Sequence, residues 1–128
     1  MAFTNKEIRP CDTGKTEIKL TYRLTLRLFL REKSFGPGPM RLLEGVKRTG
    51  SLQKAAAEMG MAYSKAWKLM RGLEEEWGFP LLIRQAGGSN GGGSSLTDEA
   101  EELLTRYEAM LREIHQAAQA AFIKYFPE

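Results

Sequence analysis

Residues 51–78, SLQKAAAEMGMAYSKAWKLMRGLEEEWG, predict two helices separated by a very short turn. Ser51 is a good N-cap for the first helix, and its apolar residues then recur at helical spacing: Leu52, Ala55, Ala56 and Met59. Gly60 ends this helix, and a second helix is predicted over 63–77. The apolar face of that helix comprises Ala66, Leu69, Met70, Leu73 and Trp77. Two helices this close together predict a helix-turn-helix motif.

A glycine-rich stretch, GGSNGGGSSLT at 87–97, follows the motif. A phosphate-binding P-loop is disfavoured because Gly93 is followed by two serines rather than by Lys and Ser/Thr. A linker is disfavoured because no second core follows. The remaining interpretation is a hairpin, with FPLLIRQ at 79–85 as one strand and residues 95–96 as the return strand. Its glycines either approach a DNA phosphate or are simply tolerated at a flexible tip, and both alternatives stay open.

The N-terminal region predicts an arm, a strand and a helix. Residues 1–16 are polar and irregular. Apolar and polar residues then alternate from 18 to 31, which predicts a long half-buried strand with a basic polar face. SFGPGP at 34–39 predicts a turn that ends the strand. A helix follows on Met40, Leu43 and Val46, and Gly50 ends it.

A long helix is predicted from Thr97, an N-cap residue, to about Phe126. Ala100, Leu103, Met110 and Phe122 widen its apolar stripe. Its heptad positions, spaced alternately three and four residues apart, are Leu104, Tyr107, Leu111, Ile114, Ala118, Ala121 and Tyr125. One small domain cannot bury so long a helix, so we predict that it pairs with the same helix of a second chain to form a homodimer.

The predicted fold class is α+β and mostly helical: a winged helix-turn-helix with an added N-terminal strand and a long C-terminal dimerisation helix. The predicted organisation is a flexible arm over 1–16, the DNA-binding domain over 17–96 and the dimerisation helix over 97–128. The wing is placed at 86–94.

Composition narrows the function further. The 128 residues carry a net charge of +3, contain no long apolar run and show no secretion signal, so we expect a cytoplasmic protein without a membrane partner. Cys11 and His115 are the only residues of their kinds, which excludes an internal disulfide and argues against a metal site. His115 is interpreted as a structural or surface residue. No paired acid and base or nucleophile set is evident, so we expect neither an enzyme nor a cofactor.

Residues 49–107 resemble the N-terminal domain of the ModE family of molybdate-responsive regulators, which is allied to the LysR-type regulators. The matching residues are Gly50, Ser51, Ala55, Ala56, Gly60, Tyr63, Ala66, Trp67, Leu81, Arg84, Gly87, Gly88, Gly91, Gly92, Gly93, Leu96 and Thr97. The resemblance implies a winged helix-turn-helix, a homodimer and binding to palindromic operator DNA. Full-length members of that family also carry molybdate-binding domains, whereas this sequence ends at Glu128, so we expect a stand-alone domain without them.

Candidate DNA contacts lie on the helix predicted over 63–77 and beside it. Its polar face carries Tyr63, Ser64, Lys65, Lys68 and Arg71, whose side chains can reach phosphates and base edges. An ordinary solvated face is the alternative. Trp67 lies at the edge of the apolar stripe, where it either packs against the core or wing or belongs to the DNA-contact set. Residues 74–76 are glutamates and should face away from DNA.

Two further groups complete the predicted DNA-binding set. Ser51 and Gln53 begin a helix whose N-terminus can bind a phosphate, although Ser51 is equally well explained as an N-cap. On the wing, Arg84, Ser89 and Asn90 could contact the DNA backbone or minor groove. Arg84 could equally pair with a glutamate of the preceding helix.

The functional prediction is a dimeric transcriptional regulator that binds double-stranded DNA. A protein-interaction module on the same fold is the main alternative. A regulator that depends on a separate molybdate or oxyanion sensor, and a single-domain oxyanion sensor, are the others. The operator, the regulated genes and the effector are not specified by the sequence.

Overall fold

The computed structural model describes residues 18–85 and 93–127. Over these ranges the chain forms four helices and four short strands, in the order β1, β2, α1, α2, α3, β3, β4 and α4. Contacts within the chain define one unit over Thr25–Glu108 and another formed by Met1–Leu24 with Ala109–Glu128. The predicted mostly helical α+β class is confirmed.

The three helices of the first unit are α1 (Pro37–Thr49), α2 (Leu52–Glu58) and α3 (Tyr63–Trp77). Gly50 ends α1 and Gly78 ends α3, both in the left-handed region, at φ 74° and 83°. A residue with a Cβ adopts that region at a cost, so glycine is the favoured terminator. The bounds predicted for α3 are confirmed.

The start of α1 corrects the prediction of a turn over 34–39. The helix begins at Pro37 and also takes up Gly38 and Pro39, and the Met40 amide donates to the Gly36 carbonyl at 2.9 Å. Proline fits the first turn of a helix because the amides there have no partner within the helix. The two prolines therefore begin α1 rather than delay it.

The predicted long strand over 18–31 is wrong in its length. β1 covers only Leu28–Phe29 and pairs antiparallel with β2 (Ser34–Phe35), while residues 18–27 form no strand. A strand needs a partner for its backbone hydrogen bonds, and β2 supplies only two residues. The alternating pattern also fails to bury its apolar side, since Ile18 and Leu20 are 52% and 45% exposed.

The wing is an antiparallel pair of strands, β3 (Leu82–Arg84) and β4 (Ser94–Leu96). Leu82 lies opposite Leu96, and Arg84 lies opposite Ser94. The predicted hairpin is confirmed, with a first strand shorter than 79–85 and a return strand one residue longer than 95–96. Residues 86–92 lie outside the described residues.

The last helix, α4 (Asp98–Tyr125), is anchored to the wing by Thr97. The Thr97 hydroxyl accepts a hydrogen bond from the Ala100 amide at 3.0 Å and donates to the Pro80 carbonyl at 2.7 Å. Thr97 is therefore the N-cap that its side chain predicts, and the same hydroxyl ties the helix to the residues before β3.

The hydrophobic core of the first unit lies between the helices and the first part of α4. Phe35 packs edge-on against Tyr107, with ring centroids 5.1 Å apart. The Tyr107 hydroxyl donates to the Leu26 carbonyl at 2.8 Å. Fully or almost fully buried apolar residues include Leu42, Leu43, Val46, Leu52, Ala55, Ala56, Ala66, Met70, Leu73, Leu81, Ala100 and Leu104.

The second unit, in its described residues 18–24 and 109–127, is held by a small aromatic cluster. The rings of Tyr22 and Phe122 lie 4.9 Å apart, and those of Phe122 and Phe126 lie 5.8 Å apart. The Tyr22 hydroxyl donates to the Gln119 side-chain oxygen at 3.0 Å. Tyr22 therefore packs on α4, although residues 18–24 form no strand.

Candidate nucleic-acid interface

Helix α3 presents a basic face to solvent. Its inner side is formed by Ala66, Met70 and Leu73, at most 3% exposed. The predicted contact residues Ser64, Lys65, Lys68 and Arg71 are all exposed, and Tyr63 is 38% exposed. The polar side chains chosen from the sequence therefore share the solvent side of the helix that follows the tight turn.

The wing arginine packs against this helix. The Arg84 guanidinium carbon lies 4.3 Å from the centre of the Trp67 ring, and Arg84 Nη2 donates to the Tyr63 hydroxyl at 2.5 Å. A cation over an aromatic face is attracted by the ring quadrupole, by about 0.5–1 kcal/mol at exposed sites. Arg84 thus bonds to α3 through Tyr63 and Trp67 rather than through a glutamate, the partner considered from the sequence.

Trp67 is half-buried and contacts two guanidinium groups. Arg71, one turn further along α3, has its guanidinium carbon 5.7 Å from the Trp67 ring centre. The indole therefore holds one cation from the wing and one from the helix at the same surface. Trp67 therefore packs against the wing, which is one of the two roles that the sequence predicts for it.

The base of the wing is fixed to the junction of α1 and α2. The Ser94 amide donates to the Gly50 carbonyl at 2.8 Å, and the Gln85 amide donates to the Gly93 carbonyl at 2.9 Å. A Cβ on Gly93 would lie 2.8 Å from that Gly50 oxygen, closer than a carbon can approach. Gly93 therefore permits close contact between backbones, a role that neither interpretation of the glycine stretch assigned to it.

The acidic end of α3 holds backbone amides. Glu74 Oε2 accepts from the Leu81 amide at 2.7 Å and from the Leu82 amide at 3.2 Å. Glu76 Oε2 accepts from the Lys33 amide at 2.6 Å. These carboxylates attach the wing and the β1–β2 turn to α3, a role that the sequence analysis missed because the amides become neighbours only in the folded chain.

The start of α2 matches the more conservative interpretation of Ser51. The Ser51 hydroxyl accepts from the Lys54 amide at 3.1 Å, as an N-cap does. Gln53 is exposed at the first turn of this helix. The helix end remains a suitable position for a phosphate, with the Ser51 oxygen already engaged.

A shallow groove beside α3 could not be predicted from the sequence. It is lined by Lys33, Trp67, Lys68, Arg71, Gly72 and Glu75. Lys33 comes from the β1–β2 turn, which the prediction of one long strand did not include. The available signal was the pair of basic residues Arg31 and Lys33 just before the predicted turn.

A surface ion pair joins α1 to α2 behind the motif. Arg48 donates to the Glu58 carboxylate through both terminal nitrogens. The hydrogen bond to Arg48 lowers the pKa of the Glu58 carboxyl, and the same bond raises the pKa of Arg48.

The heptad residues of α4 separate into two groups. Leu104 and Tyr107, at 2% and 1% exposure, are buried in the core of their own chain, so the predicted seam does not extend through them. Ala121 is exposed and Tyr125 is 63% exposed. The half-exposed members are Leu111, Ile114 and Ala118.

Two predicted contacts, Ser89 and Asn90, lie outside the described residues.

Among the described helices, none is long and apolar enough to cross a membrane.

The tight helical pair followed by a two-stranded wing defines a winged helix-turn-helix protein. The family model for "Bacterial regulatory helix-turn-helix protein, lysR family" matches residues 38–101, which is half of the chain. The chain belongs to this family of bacterial helix-turn-helix regulators.

Several relatives with curated descriptions carry the ModE name. The transcriptional regulator ModE of Haemophilus influenzae is 38% identical over 97 residues, which are 76% of this chain and 36% of that protein. The DNA-binding transcriptional dual regulator ModE of Escherichia coli K12 is 31% identical over 104 residues, 81% of this chain and 37% of that protein. The chain thus spans little more than a third of the length of these relatives, and the resemblance seen in the sequence is confirmed.

Solved structures support the fold. The CbnR_DBD–DNA complex has a TM-score of 0.52 at 20% identity and covers 64% of this chain and 88% of that chain. ArgP from Mycobacterium tuberculosis has a TM-score of 0.51 at 22% identity and covers 67% of this chain and 30% of that chain.

Proposed function

We propose that the chain is a transcriptional regulator that binds double-stranded DNA, with α3 in the major groove. The observation that carries the proposal is the basic outer face of α3, where Lys65, Lys68 and Arg71 are exposed directly after the turn of the motif. In helix-turn-helix proteins the second helix enters the major groove, and its N-terminal residues contact base edges. Tyr63, Ser64 and Lys65 are then the residues nearest the bases.

The wing is proposed to contact the DNA backbone or minor groove. Arg84 is held beside α3 by Trp67 and Tyr63, so its charge has a defined position before DNA binds. Preorganised side chains lose less conformational entropy on binding. Ser89 and Asn90 remain candidate contacts at the tip of the wing.

An ordinary solvated face is a weaker explanation for these charges. Among the residues that the structure describes, no salt bridge engages Lys65, Lys68 or Arg71. Cations without carboxylate partners are suited to phosphate contacts, in which released counterions supply the free energy.

We also propose that the protein acts as a homodimer through the second half of α4, and that its operator is palindromic. The support is the heptad spacing of Leu111, Ile114, Ala118, Ala121 and Tyr125 together with their exposure. A two-fold dimer would place two copies of α3 about 34 Å apart, one turn of DNA. Sedimentation at micromolar concentration tests this: a monomer would overturn the dimer proposal while leaving DNA binding untouched.

Two alternative functions remain beside a regulator that acts alone. Curated relatives include a molybdenum transport protein ModE of Azotobacter vinelandii, 36% identical over 78 residues, so a link to molybdate through a separate sensor is one alternative. A protein-interaction module without operator binding is another. We also propose that the protein is cytoplasmic and that it binds DNA without catalysing a reaction.

The deciding experiment is retention of genomic DNA fragments at several salt concentrations, followed by sequencing. We expect enrichment of a palindrome and a steep loss of affinity as salt rises. Replacing Lys65, Lys68 and Arg71 together with glutamine should abolish retention. A control that removes the same charge at Arg41, Lys47 and Arg112, all exposed, should retain it. Weak retention without sequence preference in the wild type would favour the interaction module.

A further inference from the structure

The turn between β1 and β2 is fixed to α3 through backbone atoms. The Lys33 amide donates to Glu76 Oε2 at 2.6 Å, and its carbonyl accepts from Trp77 Nε1 at 3.4 Å. Both partners belong to the last turn of α3. The position of residue 33 is therefore set by α3 and not by its own side chain.

The Lys33 side chain then lies along α3 over Gly72. A Cβ on Gly72 would lie 2.5 Å from Lys33 Nζ and 3.2 Å from Lys33 Cδ. A side chain at position 72 would therefore displace the end of the Lys33 side chain from this place. Gly72 is buried, and the Lys33 ammonium group lies beside it at the flank of the helix.

The ammonium group joins two other cations at this flank. Lys33, Lys68 and Arg71 line one groove with the ring of Trp67, and Glu75 is the only acidic residue in that lining. In the described part of the chain, none of the three cations forms a salt bridge. The groove thus has an excess of positive charge with unfilled hydrogen-bonding capacity.

The flank of a recognition helix is where DNA phosphates lie. A helix with its side chains is about 10–12 Å across and the major groove is about 12 Å wide, so the two backbones pass close to the helix on either side. Gly72 lies nine residues after the start of α3, about 14 Å along its axis, beyond the turns that contact bases. A cation there faces the backbone and not the base edges.

We propose that Lys33, supplied by the β1–β2 turn, is a DNA-phosphate contact that works with Lys68 and Arg71 along the flank of α3. This inference rests on the proposed function, since it adds a contact to the same DNA complex. It assigns a binding role to a segment that precedes the helix-turn-helix motif. The contact is independent of sequence, because a phosphate is the same beside every base pair.

The test is the salt dependence of affinity for a defined duplex, measured for the wild type and for Lys33→Gln. Each phosphate contact contributes about 0.9 to the slope of log affinity against log salt. Between 50 and 200 mM salt, the fold loss of affinity should therefore be about 3.5 times smaller for the variant than for the wild type. The loss at low salt should be the same for an operator and for an unrelated duplex.

Three companion variants sharpen the result. Lys33→Arg should keep the wild-type slope, and Gly72→Ala should flatten it by moving the ammonium group without removing a charge. Arg112→Gln, which removes one charge from the outward side of α4, should leave the slope unchanged. Because residue 33 is held through its backbone, Lys33→Gln should fold as the wild type does, which near-ultraviolet circular dichroism checks.

The outcomes separate this inference from the proposed function. A steep slope in the wild type that Lys33→Gln does not alter would overturn the Lys33 contact and leave the regulator in place. A shallow slope and weak binding in the wild type would overturn both. Inorganic phosphate can be compared with chloride at equal ionic strength as a competitor of the duplex. If both weaken duplex binding equally, a DNA phosphate is the occupant of the groove. If phosphate competes more strongly than chloride, the groove binds a free oxyanion and the Lys33 contact with DNA is overturned.

Discussion

Arg84 and Trp67 face each other across the boundary between the wing and α3, with the guanidinium carbon 4.3 Å from the ring centre. We expect a coupling free energy of about 0.5–1 kcal/mol in a double-mutant cycle of Arg84→Met and Trp67→Leu, since neither side chain keeps the contact without the other. Urea unfolding of the four proteins measures it. Additive effects would show that the stacking contributes nothing to stability.

Glu74 is expected to stabilise the attachment of the wing. Its carboxylate accepts the Leu81 and Leu82 amides, so Glu74→Ala leaves two backbone donors without this partner. The free energy of unfolding should fall by about 1–3 kcal/mol. The neighbouring Glu75→Ala, at an exposed position, should change it by less than about 0.5 kcal/mol. Equal effects of the two variants would contradict the role assigned to Glu74.

Gly93 should not tolerate alanine. The added Cβ would lie 2.8 Å from the Gly50 carbonyl oxygen, and backbone cannot move aside cheaply. We expect a destabilisation of about 1–3 kcal/mol by urea unfolding, typical of overpacking. Gly38→Ala is the matched control, because a Cβ there meets nothing within 4 Å. If both glycines accept alanine equally well, the wing base is looser than the contact implies.

Tyr107→Phe should lower the free energy of unfolding by about 1 kcal/mol through loss of the hydrogen bond to Leu26. Burial raises the pKa of Tyr107, although the charge of Arg27 opposes this shift. The tyrosine contribution is therefore complete below the pKa of an unfolded tyrosine and is lost as pH rises through the raised folded value. Urea unfolding from neutral pH to above about pH 10 should show the two proteins converging. A constant difference would contradict this.

The Arg48–Glu58 pair gives the opposite dependence on pH. Arg48 lowers the pKa of Glu58, so the pair stabilises the fold above the pKa of an unfolded glutamate. That contribution is lost as pH falls through the lowered folded value. The stability difference between wild type and Glu58→Gln should therefore shrink in acid and also in high salt, because both groups are exposed. Thermal melts across the acid range provide the measurement.

Local signals predicted the helices well. Ser51 and Thr97 cap helices as their side chains indicate, and Gly50 and Gly78 end them in the conformation that glycine favours. These features depend on residues within one turn of each other. The exposed basic face of α3 follows from the same local periodicity.

Features that depend on distant partners could not be read in this way. The strand predicted from Ile18 onward is short because β2 offers it only two residues. Leu104 and Tyr107 fit a heptad seam, yet the core of their own chain covers them. Lys33 and Gly72 are 39 residues apart, and nothing near either one indicates that they touch.

The many bonds between α3 and its surroundings bear on any attempt to retarget the protein. Tyr63 and Trp67 hold Arg84, and Glu74 holds the strand that carries it. If α3 were replaced by the helix of another regulator, chosen only for the residues that contact bases, these bonds to the strand would be lost. Altering specificity in this chain calls for exchange of helix and wing as one cassette, or for designs that leave these three α3 side chains unchanged.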